Sequence, residues 1–132
     1  MTDSEAIRAL LQRIGETFSR LDMDAWTDCF HTPVSFVMAG EILTFHSRDE
    51  TATALRPLFD QLRQQGFTST DLNTCNVKLL SNATALVAAV WTRFAGEDVL
   101  ERLGATYFVM KQKGQWKAVM VTSHSPDVVA FS

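Results

Sequence analysis

Residues 83–125 read ATALVAAVWTRFAGEDVLERLGATYFVMKQKGQWKAVMVTSHS, and this stretch decides the fold. Three apolar runs of strand length are separated by turn signals at Gly96-Glu97-Asp98 and Lys113-Gly114. The runs are rich in Val, Thr, Phe, Tyr and Trp, which suit a pleated and packed surface. The pattern predicts an antiparallel meander of three strands that the rest of the chain covers.

The turns also predict how the three strands pair. A two-residue turn at 113–114 places Gln112 opposite Gln115, and an unbroken ladder follows from it. A turn that closes Ala95 onto Val99 brings two opposite charges face to face, which supports this register. The pairs expected further along the strands are Phe108 with Val119, Tyr107 with Met120, and Arg93 with Glu101.

Both faces of this meander are largely apolar. Side chains alternate between the two faces of a strand, and a solvated face would be polar on every second residue. Helices of the same chain can cover one face. A second subunit is the expected cover for the other face, so we expect a homodimer.

Bulk composition narrows the class of protein. The chain has 132 residues, enough for one domain over residues 1–132. Its net charge of −3 and the lack of a basic cluster argue against a nucleic-acid partner. No apolar run reaches the ~18 residues of a membrane span, so no membrane association is expected. Cys29 and Cys75 lack CxxC spacing, which favours free thiols and a cytoplasmic location.

The N-terminal half alternates helices and strands. Thr2 with Glu5, and Ser47 with Glu50, form two capping boxes that open helices. Pro57 is expected to kink or split the helix that contains it. The predicted elements are a helix from Thr2, a short helix from Asp22 to about Phe30, strands at 34–39 and 42–45, a helix from Ser47 to Gly66, and a strand at 67–80. With the meander, this order predicts an α+β domain.

Two segments carry a resemblance to a known family. They are LDMDAWTDCF at 21–30, before the first strand, and GQWK at 114–117, which opens the last strand. With the order of elements, they resemble the nuclear-transport-factor-like superfamily, which includes SnoaL-like cyclases, ketosteroid isomerases and scytalone dehydratase. The resemblance implies a cone-shaped, curved antiparallel sheet wrapped around N-terminal helices, a cystatin-like α+β roll. It also implies a pocket inside the cone and a dimer formed through the outer face of the sheet.

The resemblance assigns the two faces of the meander. In similar proteins the fifth, seventh and ninth residues after the last hairpin glycine point into the cone. The expected pocket residues are Ile14, Phe18, Trp26, Phe36, Met38, Thr92, Arg102, Thr106, Phe108, Val119, Val121 and Ser123. The expected dimer face holds Trp91, Arg93, Glu101, Tyr107, Trp116 and Met120. A bulge at Gly104 would reverse this assignment.

Catalytic residues are not evident. Ketosteroid isomerase chemistry needs a carboxylate base and acidic donors, and the resemblance puts Ile14, Met38 and Phe108 at those positions. None of these three can transfer a proton. His124 and His31 are weak candidates for a base, although each can equally satisfy local backbone or an interface. The histidines lack metal-ligand spacing, and we expect neither a metal nor a cofactor.

Three functions remain open from the sequence. The leading hypothesis is a pocket that binds a small, mostly apolar molecule, with no assigned reaction. The second is a lyase, isomerase or cyclase acting on a polyketide- or terpenoid-like substrate. In that enzyme His124 or His31 would act as base, and Arg102, whose buried guanidinium must be paired, would stabilise an anion. The third is a dimerisation module whose cone is filled by side chains.

Overall fold

The computed structural model describes residues 1–132, which form three helices and one six-stranded sheet. The helices and strands, in chain order, are α1 (Asp3–Ser19), α2 (Met23–Thr27), β1 (Phe30–Met38), β2 (Glu41–Phe45), α3 (Arg48–Gln64), β3 (Ser69–Leu79), β4 (Thr84–Ala95), β5 (Asp98–Gln112) and β6 (Gln115–His124). None of the three helices combines the length and apolar character that crossing a bilayer requires.

The predicted meander forms the larger part of the sheet. The strand order is β2-β1-β6-β5-β4-β3, and every neighbouring pair is antiparallel except β1 with β6. Arg93 lies opposite Glu101 as predicted, with Nη1 and Oε2 2.9 Å apart. The predicted α+β class, with a curved sheet packed on N-terminal helices, is therefore confirmed.

A β-bulge at Val119 breaks the ladder that the sequence analysis assumed to be continuous. The turn pairs Gln112 with Gln115, as predicted. Beyond Ala118 the register shifts by one residue, so that Phe108 pairs with Met120 rather than Val119. The partner of Tyr107 is in turn Val121 rather than Met120. A second shift near Leu100 closes Ala95 onto Asp98 instead of Val99.

The bulge reverses the predicted faces of β4 and β5. One extra residue moves every later side chain to the other face relative to its partner strand. Trp91, Tyr107 and Trp116 therefore belong to the inner face, where they join the core that α1 covers. The expectation that they form a dimer surface is wrong. The bulge lies on β6, not at Gly104, where the sequence suggested one.

Helix α1 supplies the apolar cover for the inner face. Thr2 and Glu5 form the predicted capping box at its start. Its buried side is Ile7, Leu10, Leu11, Ile14, Gly15, Thr17 and Phe18. Asp3 in the first turn accepts hydrogen bonds from Lys111 and from the indole of Trp116, at 3.1 and 3.2 Å. These bonds hold the beginning of the helix against β5 and β6.

The other two helices differ in detail from the expectation. Helix α2 ends at Thr27, and β1 begins at Phe30, earlier than the predicted strand. Helix α3 runs without interruption through Pro57, so the expected split is wrong. Pro57 and Thr53 are both exposed, and water can reach the carbonyl that the proline leaves without an amide partner. Ser47 caps α3 as predicted, but Glu50 binds the amide of His46 instead of completing the capping box.

The C-terminal segment covers part of the outer face. Residues 125–131 run from the end of β6 to β3, where Asn76 donates a hydrogen bond to the Phe131 carbonyl at 3.0 Å. Strands β5 and β4 lie between those two points. Ala88, which pairs with Asn76, and Val90 are both buried on the outer face of β4. The apolar pattern predicted a second subunit as the cover of this face.

We predict that Gly15→Ala destabilises the fold. A Cβ at this position would lie 2.8 Å from Cζ3 of Trp91, a buried ring that cannot move freely. The overpacking is expected to cost ~1–3 kcal/mol, which outweighs the ~1 kcal/mol that alanine gains in helix propensity. Urea denaturation measures the free energy of unfolding. Gln12→Ala, on the exposed side of α1, is the control, and a Gly15→Ala protein more stable than wild type would contradict the packing argument.

Candidate functional site

A cavity of about 110 Å³ lies between α1 and the inner face of the sheet. Thirteen of its 17 lining residues are hydrophobic, which makes the space predominantly apolar. Its lining residues are Ile14, Gly15, Phe18, Trp26, Phe30, Phe36, Met38, Leu55, Leu58, Thr70, Trp91, Arg93, Leu103, Ala105, Tyr107, Val121 and Ser123. These come from all three helices and from β1, β3, β4, β5 and β6. The whole fold thus contributes to one cavity.

Aromatic packing shapes one end of this cavity. Trp26, on α2, is placed by the Asp22 cap, whose carboxylate accepts a hydrogen bond from the Ala25 amide at 3.1 Å. The Trp26 ring contacts four phenylalanine rings with centroids 4.7–6.3 Å apart. They are Phe18, Phe30, Phe36 and Phe59. The rings of Phe18 and Phe30 are tilted, that of Phe59 is edge-on and that of Phe36 is stacked, and together they form an apolar wall.

Trp91 and Tyr107 place a hydrogen-bonded pair in the floor of the cavity. Trp91 Nε1 donates to the Tyr107 hydroxyl oxygen at 3.0 Å, and both residues are buried. Burial raises the pKa of Tyr107 above its ordinary value, despite the opposing effects of the Trp91 bond and of nearby Arg93. The hydroxyl therefore stays protonated and can still donate one hydrogen bond.

Arg93 is the one charged residue in the lining. Its guanidinium lies 5.0 Å from the centroid of the Phe18 ring, a cation–π arrangement, and it bonds to Glu101. Burial lowers the pKa of Arg93, whereas the Glu101 carboxylate raises it. The ion pair sits at an edge of the cavity, because the Glu101 side chain is half exposed and Arg93 is mostly buried.

One buried donor in the lining has no partner. Trp26 is 6% exposed, and its Nε1 has no hydrogen-bond acceptor in the protein. Buried polar groups are nearly always paired, so an unpaired indole beside a cavity needs an explanation. The polar groups of the lining are this unpaired donor, the Tyr107 hydroxyl, Arg93 and the hydroxyls of Thr70 and Ser123.

Seven of the twelve predicted pocket residues line this cavity: Ile14, Phe18, Trp26, Phe36, Met38, Val121 and Ser123. The other five lie elsewhere. Thr92, Arg102, Thr106 and Phe108 are on the outer face because of the bulge, and Val119 is the bulge residue itself. Arg102 is exposed, so the anion-binding role proposed for it does not apply to the cavity.

Three cavity residues lie on the opposite face of the sheet from the one predicted. Trp91, Arg93 and Tyr107 were grouped together correctly by their alternation, but they were placed on the dimer face. Of the remaining residues predicted for that face, Trp116 is buried in the core and Met120 is exposed on the outer face. Glu101 does not line the cavity, but its carboxylate accepts a hydrogen bond from Arg93, which does. Gly15 within the apolar side of α1 was a signal that a large ring must lie beneath the helix.

The histidines lie outside the cavity. His124 packs over Gly104 on the outer face, and its two ring nitrogens contact the Thr106 hydroxyl at 2.8 Å and the Ser125 carbonyl at 2.9 Å. His31 Nε2 donates to the Met110 carbonyl at 2.8 Å, and His46 is exposed. Both catalytic candidates therefore have structural partners. No group of three His, Cys, Asp or Glu side chains is placed to hold a metal ion.

Comparison with solved structures finds the same fold in proteins of low sequence identity. An NTF-2 like protein of unknown function from Shewanella oneidensis MR-1 is 23% identical with a TM-score of 0.77, over 92% of this chain and 98% of that chain. An NTF2-like protein with a cystatin-like fold from Novosphingobium aromaticivorans is 20% identical with a TM-score of 0.75, over 97% and 84%. Identities this low show a shared fold alone.

Sequence comparison identifies the family. A search of curated proteins found no match. The family model described as NTF2-like protein (DUF6841) matches residues 4–126, which is nearly the whole sequence. The resemblance seen in the sequence is thereby confirmed, and the chain belongs to the NTF2-like family.

Proposed function

We propose that this protein binds a small, mostly apolar molecule in the cavity between α1 and the sheet. The observation that carries the proposal is an unfilled space with a predominantly hydrophobic lining in an otherwise close-packed core. Protein interiors rarely keep space that side chains could fill. Apolar clefts with a few polar groups are the usual form of a small-molecule site.

The size of the cavity limits the ligand. Drug-sized ligands occupy roughly 300–1,000 Å³, whereas this cavity measures about 110 Å³. An engineered apolar cavity of roughly 150 Å³ binds benzene. The expected ligand is therefore a single six-membered ring with a short substituent.

The lining favours binding over proton-transfer catalysis. It contains no carboxylate and no imidazole, and the Tyr107 hydroxyl is held in its protonated form. A lyase, isomerase or cyclase that moves protons needs a base within hydrogen-bond reach of its substrate. The unfilled space also favours binding over an interaction module with a filled cone.

Self-association through the outer face is part of the same proposal. Leu86, Phe108 and Met120 form one cross-strand row on that face, and Met120 is 41% exposed. The C-terminal segment bonds to the sheet elsewhere, at Asn76. A row of apolar side chains that helices do not cover supports pairing with a second copy. The two free thiols, Cys29 and Cys75, support a reducing, cytoplasmic environment.

Toluene is expected to bind the wild-type protein, and Ser123→Leu is expected to abolish binding because leucine fills the cavity. Ser123 lines the cavity on β6. The matched control is Thr122→Leu, the neighbouring residue on the outer face, which should bind toluene as the wild type does. Protein NMR titration measures toluene binding to the wild type and to each of the two variants. Absence of toluene binding to wild type, or equal binding to both variants, would contradict a ligand site in this cavity.

Tyr107, the only tyrosine, should resist ionisation in the folded protein. A folded-state pKa above the unfolded value of about 10 means that the protonated hydroxyl stabilises the fold below that pH, and that this stability is lost as pH rises beyond it. Tyrosinate absorbance should therefore appear only together with alkaline unfolding, monitored by circular dichroism. Urea-unfolded protein is the reference. Reversible ionisation near pH 10 in a protein that stays folded would show that Tyr107 is not buried.

Met120→Glu is expected to separate a wild-type dimer into monomers, because a charge would be buried at the centre of the outer face. Light scattering over a range of protein concentrations gives the mass. Val99→Glu is the matched control, since Val99 is 58% exposed near the β4–β5 turn. A wild-type protein that stays monomeric at micromolar concentration would refute the proposed self-association.

A further inference from the structure

Two buried residues in the lining of the cavity, Trp26 and Tyr107, hold hydrogen-bond donors without a partner. The indole N–H of Trp26 is buried and has no acceptor. The Tyr107 oxygen already accepts the Trp91 bond, which leaves the hydroxyl proton without a partner. Arg93 uses one Nη1–H on Glu101 and otherwise carries only donors. The hydroxyls of Thr70 and Ser123, which can donate or accept, also line the cavity. The buried groups that are left without a partner are donors.

Trp26 and Tyr107 are the two donors that a ligand would satisfy. Each is at least nine-tenths buried and lines the cavity. Water or a ligand oxygen is the natural partner of such a donor, since an unpaired buried donor is unfavourable. Tyr107 is also oriented in advance, because the Trp91 bond restricts the direction of its lone pairs and hence of its proton.

The charge balance argues for a neutral ligand. The Arg93 cation is neutralised by Glu101 at 2.9 Å. No second cation lines the cavity to offset an added negative charge. A carboxylate would be desolvated there and would also lie near the Glu101 carboxylate, which makes its burial unfavourable. A neutral carbonyl oxygen accepts hydrogen bonds without the burial of a charge and without repulsion from the Glu101 carboxylate.

Resting on the function proposed above, we propose that the cavity selects small neutral carbonyl compounds whose oxygen accepts hydrogen bonds from Tyr107 and Trp26. The ring or alkyl part of such a molecule fills the apolar space beside Phe18 and Leu103. Ketones, aldehydes and esters built on a single six-membered ring belong to this class. Hydrocarbons of the same size lack the acceptor, and carboxylates of the same size carry a charge.

The test compares acetophenone, ethylbenzene and benzoate, which are similar in size and differ in the polar group. Dissociation constants are measured by NMR titration for wild type, Tyr107→Phe and Trp26→Phe. Removing one donor should weaken acetophenone binding by about three- to tenfold, the worth of one hydrogen bond. Ethylbenzene binding should change by less than about twofold, because it makes no such bond. The Trp26 indole N–H signal should move downfield only with acetophenone.

Trp116→Phe is the matched control for Trp26→Phe. Trp116 is equally buried, but its indole donates to Asp3 and it does not line the cavity. Its replacement should leave the ratio of acetophenone to ethylbenzene affinity unchanged. Urea denaturation of each variant confirms that it is folded before titration.

The outcomes separate the two proposals. If both donor variants weaken acetophenone and ethylbenzene equally, or neither variant changes acetophenone binding, the carbonyl assignment is overturned and the apolar site stands. Benzoate binding more tightly than acetophenone also overturns the assignment, because the site would then prefer an anion. If wild type binds neither acetophenone nor ethylbenzene, the proposed function fails together with this inference.

Discussion

The close contact between Gly15 and the Trp91 ring is the constraint on which the rest of the structure depends. Only a residue without a side chain lets α1 approach the sheet this closely. The helix is tied along β3 by two further bonds, from Arg8 to the Cys75 carbonyl and from the Thr70 amide to the Ser19 hydroxyl. With the helix fixed there, Trp91 is held in the orientation that reaches Tyr107, and the space beside both rings becomes the cavity.

The chemistry of the cavity follows from a second constraint, the bulge at Val119. By shifting β6 against β5, it turns Tyr107 and Trp91 toward α1 and turns Thr106 and Phe108 away. The space is therefore lined by Trp91, Arg93 and Tyr107 instead of Thr92, Arg102 and Thr106. The lining of this space contains no carboxylate and no imidazole.

The C-terminal segment of the chain lies against part of the outer face of the sheet. Gly104 leaves room for the His124 ring and the Ser125 carbonyl, where a Cβ would collide with both. From this point the C-terminal segment crosses toward β3, where Asn76 bonds to the Phe131 carbonyl. A segment of the same chain therefore lies against part of that face. The proposed self-association therefore concerns the row around Met120, which is 41% exposed, and not the whole face.

Local patterns in the sequence were enough to determine the helices, the meander, the Arg93–Glu101 pair and the apolar faces that hold Ile14 and Trp26. Each depends on periodicity, caps or turns within a short stretch. Only the tertiary structure decided which face of the meander meets α1. Both faces are apolar, so the alternation of side chains is compatible with either face packing against α1. A one-residue bulge at Val119 cannot be recognised from this period-two pattern. For that reason the sequence could group Trp91 with Tyr107, but it could not place them inside the cavity.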